Sequence, residues 1–134
     1  MLKNDIILKK TITITEDKNV TIDLNGHTLT GDVSGSLINN AGNLTITSNF
    51  KNNTTEKTFE TLYTYVQLVD ESNNKYEVQE ESVTLPVSTG VITGGKGTTG
   101  GAICNTGSLS LSLVSLVNNT ATKGGAIYNG PGSS

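Results

Sequence analysis

Gly100-Gly101-Ala102-Ile103-Cys104-Asn105 returns 24 residues later as Gly124-Gly125-Ala126-Ile127-Tyr128-Asn129. A second correspondence lies upstream, where Leu37-Ile38-Asn39-Asn40-Ala41-Gly42-Asn43-Leu44-Thr45-Ile46-Thr47 lines up with Ala102 to Ser112. Earlier still, Val20-Thr21-Ile22-Asp23-Leu24 alternates as Leu44-Thr45-Ile46 does. Short alternating runs separated by Asn-Gly or Asn-x-Gly turns, with a period of about 20–25 residues, are the signature of a β-solenoid. The spacing predicts an all-β, right-handed parallel β-helix of about four coils.

In such a coil alternate residues of each strand point inward. Val20, Ile22 and Leu24 are expected to stack under Leu44 and Ile46, with Leu109 and Leu111 continuing the column. Ile12 and Ile14 with Ile38, Ile103 and Ile127 are expected to form a second column. The Thr and Ser residues between them face solvent, and each strand pairs in parallel with its equivalent one coil away. Asn40, Asn105 and Asn129 fall at equivalent turn positions, so their amides are expected to bond from coil to coil as a structural ladder.

Composition agrees. The 134 residues are 34% hydrophobic and 4% aromatic, without Trp. A thin solenoid core of Val, Ile and Leu needs few bulky residues, whereas a compact sandwich needs more. Thr, Asn, Ser and Gly dominate, and no apolar run recurs at helical spacing over a long window.

Residues 49–88 break the rhythm. Phe59 to Val69 alternates, Asp70 to Asn74 is a turn cluster, and Lys75 to Leu85 alternates again. This is the pattern of an inserted β-hairpin within a single β-helix domain spanning 1–134. Phe59, Tyr63, Tyr65 and Tyr76 concentrate there, giving the hairpin most of the aromatic surface, which either forms the hairpin's own small core or serves as a partner-binding face for a sugar ring or a protein.

Several function classes fall away on chemistry. The net charge is −3, with nine Lys and no Arg. A nucleic-acid binder needs a basic footprint, stacking aromatics and bidentate Arg readers, so nucleic acid is not an expected partner. Cys104 is the only cysteine, which excludes an internal disulfide and gives no metal spacing. The N-terminal residues are too polar for a secretory signal, and no apolar stretch approaches the ~20 residues of a membrane span. Asp5, Asp17, Asp23, Asp32 and Asp70 are scattered, without the clustered carboxylates that sugar chemistry requires. No catalytic residue, cofactor or metal is therefore expected. Asp23 and His27 are the one carboxylate–imidazole pair close in sequence, read as a solvated turn. Thr11-Ile12-Thr13-Ile14-Thr15 is the only clear threonine row, too little for an ice-binding array. The sequons at Asn43, Asn53 and Asn118 are expected by chance in so Asn- and Thr-rich a chain.

Val20-Thr21-Ile22-Asp23-Leu24-Asn25-Gly26-His27-Thr28-Leu29-Thr30-Gly31 resembles the opening of pectin-lyase-like β-helices in adhesin-like surface proteins. Val117 to Ile127 is similar to the repeat of chlamydial polymorphic outer-membrane proteins and related archaeal adhesins, which carry Gly-Gly-Ala-Ile and Phe-x-x-Asn elements. Leu116 stands here at the aromatic position. The resemblance covers most of the chain except the hairpin and implies a non-enzymatic structural or adhesive module. It implies an extracellular or cell-surface location within a longer or processed protein, with a host or cell-surface protein or a glycan as partner. Two alternatives stand beside it: a self-assembling filament subunit, whose partner is the same chain through end-to-end stacking or strand donation, and a carbohydrate-binding or inactive polysaccharide-lyase-like domain.

Overall fold

The computed structural model describes residues 1–49, 63–70, 73–80 and 89–134. The chain divides into two units, Met1–Lys51 with Ser88–Ser134, and Asn52–Val87.

The first unit is a parallel β-helix with no helix among its described residues. The first coil holds β1 (Ile6–Leu8), β2 (Ile12–Ile14) and β3 (Asn19–Asp23); the second holds β4 (Thr28–Gly31), β5 (Ile38–Asn40) and β6 (Asn43–Thr47). In the other unit, β7 (Tyr63–Asp70) pairs antiparallel with β8 (Asn73–Glu80). Back in the solenoid, the third coil holds β9 (Gly90–Thr93), β10 (Lys96–Thr99), β11 (Ile103–Asn105) and β12 (Ser108–Ser112). The fourth holds β13 (Val114–Val117), β14 (Thr120–Lys123) and β15 (Ile127–Asn129).

Four sheets run along the stack. Their orders are β1-β4-β9-β13, β2-β5-β11-β15, β3-β6-β12 and the two-stranded β10-β14. Every pairing is parallel, because each strand meets its equivalent one coil on. Equivalent residues of the third and fourth coils lie 24 apart, whereas Asn40 and Asn105, of the second and third, lie 65 apart. The extra chain falls between β6 and β9.

The columns follow the alternation. Val20, Leu44 and Leu109 are in register, as are Ile22, Ile46 and Leu111. Ile12, Ile38, Ile103 and Ile127 form the second column. Leu29, Ile92 and Leu116 form a third, on the sheet that begins with β1. Leu24 and Leu37, outside any strand, are fully buried and join the core.

Three expectations are corrected. Ile14 does not join the Ile38 column, since three-residue strands carry two inward positions and Ile14 pairs in register with Asn40. Leu24 lies past the end of β3, beyond the register pairs Val20–Leu44 and Ile22–Ile46, and the α-carbon face of Gly90 packs against it. The turn expected over Asp70 to Asn74 is tighter, because Asp70 and Asn73 are themselves a strand pair.

The corners explain the repeat. Gly100 and Gly124 both have positive φ, 66° and 64°, where a glycine escapes the Cβ clash. A Cβ on Gly101 would run into the Gly125 carbonyl and the Thr120 backbone nitrogen, 2.7 Å away, so successive coils touch through their backbones here. Ala102 fills the remaining space and is fully buried.

Candidate functional site

Asn40, Asn105 and Asn129 end β5, β11 and β15 in direct register. They lie on the inward side, with Asn40 and Asn105 almost completely buried. Burial of an amide is costly unless each polar atom finds a partner, and these find one another. Asn40 Nδ2 donates to Asn105 Oδ1 at 2.7 Å, and Asn105 Nδ2 donates to Asn129 Oδ1 at 2.9 Å. Each amide also donates into its own turn, Asn40 Nδ2 to the Gly42 carbonyl at 3.3 Å and Asn105 Nδ2 to the Gly107 carbonyl at 3.1 Å, and Asn40 Nδ2 further reaches the Ser108 carbonyl of the next coil at 2.9 Å. The ladder has a direction, each coil donating to the next. Its lower end meets Ile14, so Asn40 Oδ1 is a buried acceptor without a partner among the described residues.

A second amide, which the sequence reading passed over, clamps another corner. Asn119 Oδ1 accepts from the Gly95 N–H at 2.9 Å, and its Nδ2 donates to the Ile92 carbonyl at 3.0 Å. The clue was available, since Asn119 occupies the Asn of the Phe-x-x-Asn element and its equivalent one coil earlier is Gly95.

The structure does not bring Asp23 and His27 together as a pair. Asp23 Oδ1 accepts from the backbone N–H groups of Asn25, at 2.9 Å, and Asn49, at 3.0 Å, closing the Asn25-Gly26 corner. The His27 ring instead faces Asp5, with Nδ1 and Oδ1 3.3 Å apart. Asp5 also accepts from the Thr28 N–H at 2.9 Å. That backbone donor, followed by His27, holds the Asp5 carboxyl below its ordinary pKa. Asp17 is lowered by hydrogen bonds from Lys18 and Thr15, and Asp32 by its ion pair with Lys9. These are solvated carboxylates one coil or one turn from their donors. Among the described residues no group of three His, Cys, Asp or Glu side chains could hold a metal ion.

The outer faces differ in chemistry. On the face of β3, β6 and β12, Thr21, Thr45 and Ser110 are in register, flanked by Asn19, Asn43 and Ser108. This face carries hydroxyls and amides. On the face of β1, β4, β9 and β13 the outward column is Ile7, Thr30, Thr93 and Val117, β-branched throughout, with Ile7 61% exposed. On the third face Thr13, Asn39, Cys104 and Tyr128 follow one another. Cys104 is half-buried, its sulfur 3.6 Å from the Thr99 hydroxyl.

Of the expected hairpin residues, Phe59 lies outside the described residues. Tyr63, Tyr65 and Tyr76 fall on β7 and β8, and the register pairs Tyr65 with Val78 and Gln67 with Tyr76. No helix among the described residues is long and apolar enough to cross a membrane.

Residues 114–130, the whole run from β13 past β15, match the profile of the Chlamydia polymorphic membrane protein repeat. No curated protein and no solved structure matches the chain. The match falls on the coil that carries Asn119, Gly124 and Asn129, so the matched stretch is here the β13–β15 part of a turn of the parallel β-helix.

Proposed function

We propose that the protein is a non-enzymatic structural or adhesive module of a cell surface. The observation that carries this reading is that the stretch matching the polymorphic membrane protein repeat, 114–130, spans β13, β14 and β15 of one coil of the β-helix. The inner polar residues of that coil support the reading, because they are committed to the scaffold: Asn129 to the ladder and Asn119 to a corner. A scaffold of this kind leaves its outer faces to meet a partner, a protein or a glycan, as binding by solenoids generally does. Asp5, Asp17, Asp23 and Asp32, each engaged with a backbone or lysine donor, favour binding over chemistry.

The test is direct. The purified chain, fluorescently labelled, is incubated with cultured cells and with immobilised glycans and matrix proteins, against a heat-unfolded control. Saturable binding that needs the folded chain is expected. Binding equal to the unfolded control on every surface would sink the reading. Release of unsaturated uronates from polygalacturonate would replace it with an enzyme.

A further inference from the structure

One corner of the solenoid lacks a strand in the first two coils. Between β4 and β5 the second coil runs through residues 32–37 without a strand, whereas the third and fourth coils carry β10 and β14 at the same corner. The loop touches the edge of β10 through Gly35 and Ser36. The Lys96 N–H donates to the Gly35 carbonyl at 3.3 Å, and the Ser36 hydroxyl to the Thr99 carbonyl at 2.9 Å. The irregular stretch opens a cavity of about 270 Å³ lined by Gly31, Asp32, Val33, Ser34, Gly94 and Lys96.

The lining chemistry is specific. Lys9 pairs with Asp32 and neutralises it, and Lys96 lies close enough to add to the lowering of the Asp32 carboxyl. Lys96 itself makes no ion pair among the described residues. The site therefore offers the Lys96 ammonium, without an ion-pair partner among the described residues, a hydroxyl on Ser34, a carboxylate acceptor on Asp32, one apolar side chain on Val33, and glycine backbone that allows close approach. An anionic group is favoured at Lys96, hydroxyls at Ser34 and Asp32, and a C–H face at Val33. The volume lies just below the ~300 Å³ at which pockets for drug-sized ligands begin, which suits a single sugar ring rather than a chain. Loops carried on a rigid frame are also where binding residues concentrate.

We propose that this corner binds one acidic sugar unit, presented at the end of a glycan, with its carboxylate on Lys96. The assignment rests on the adhesive reading and names the ligand class for it.

The experiment is an NMR titration of the whole chain with the methyl glycoside of N-acetylneuraminic acid, methyl glucoside and sodium acetate. Saturable shifts of the Gly31, Ser34 and Gly94 amides are expected. The acidic glycoside should bind about three- to fivefold more tightly than methyl glucoside, the selectivity of one exposed ion pair. Lys96→Met and Lys96→Gln should erase that preference and Lys96→Arg should retain it, while the amide spectrum elsewhere stays that of the folded chain. Acetate binding as tightly as the glycoside would mean a bare anion site and overturn the sugar assignment. Absence of shifts at these amides, or a preference that survives in both neutral variants, would overturn the site altogether. Cell binding is scored separately: a chain that adheres while failing the titration keeps the adhesive reading and loses this site. A chain that binds no surface but passes the titration does the reverse.

Discussion

At the scale of single residues, the ladder gives a prediction with a built-in control. Ile14 and Ile38 have the same side chain, similar burial and neighbouring places in one sheet. Putting asparagine at 38 buries an amide in an all-isoleucine column, where it loses its apolar contacts and finds no polar partner. Ile38→Asn should cost about 4 kcal/mol or more. Asparagine at 14 stands under Asn40, and if it follows the ladder's direction its Nδ2 donates to the orphaned Asn40 Oδ1. Ile14→Asn should therefore cost under about 2 kcal/mol. Urea unfolding of the two variants decides it, and equal costs would mean that the ladder ends at Asn40 for reasons other than a missing partner. The acid dependence also belongs here. Asp5, Asp17 and Asp32 all have folded pKa values below the ordinary 3.8. A lowered carboxyl contributes stability that is present above its unfolded pKa and lost as pH falls through the folded one. The melting temperature should be level through neutral and mildly acidic pH and fall below about pH 4, and Asp5→Asn should shallow that fall. The Asp5 contacts were hidden from the sequence for a simple reason. Thr28 is 23 residues away and His27 is 22, and only after a period is assigned do such distances become neighbours.

At the scale of elements, the Gly-Gly-Ala-Ile corner separates what the repeat requires from what it merely repeats. Gly101 and Gly125 are equivalent by sequence, yet their surroundings differ. A Cβ at 101 meets backbone of the following coil, which cannot move aside, whereas a Cβ at 125 meets nothing within 4 Å. Gly101→Ala should destabilise by about 3 kcal/mol, the upper range of overpacking. Gly125→Ala should be neutral within about 0.5 kcal/mol. Thermal melts of the pair test whether backbone contact between coils fixes this glycine; a mild effect at 101 would show that the corner relaxes. The alternating strands were legible for the same reason that this contrast was not. Alternation in Val20-Thr21-Ile22 and Leu44-Thr45-Ile46 is a property of one strand, and a period of 2 survives in any context. The swap of Ile14 for a ladder asparagine, the clamp by Asn119 and the strandless corner at 32–37 each depend on what the adjacent coil places opposite. The hairpin's alternation was readable as well, but its turn was drawn too wide because Asp70, Asn73 and Asn74, good turn formers, were not expected to extend the strands.

At the scale of the whole solenoid, stability is a sum over neighbours along an axis, so identical residues in one column should differ in worth according to how many coils cover them. The isoleucine column provides the series. Ile38 and Ile103 are fully buried, with a coil on either side, while Ile12 and Ile127 are only partly buried. Removal of a buried Ile side chain to Ala costs about 2–5 kcal/mol, and the cost falls where the site is already open to solvent. Ile103→Ala should lie at the upper part of that range and Ile127→Ala near or below its lower limit, although both face the same column at the same place in the repeat. Amide exchange gives the independent reading: protection should be greatest at β5 and β11, whose hydrogen bonds are covered from both directions, and should decay toward β2 and β15. A block-like molecule, unfolding as one unit with no axial gradient, would show equal protection in all four strands and equal costs for the two substitutions. A nearest-neighbour solenoid cannot, because its outer coils open without the inner ones.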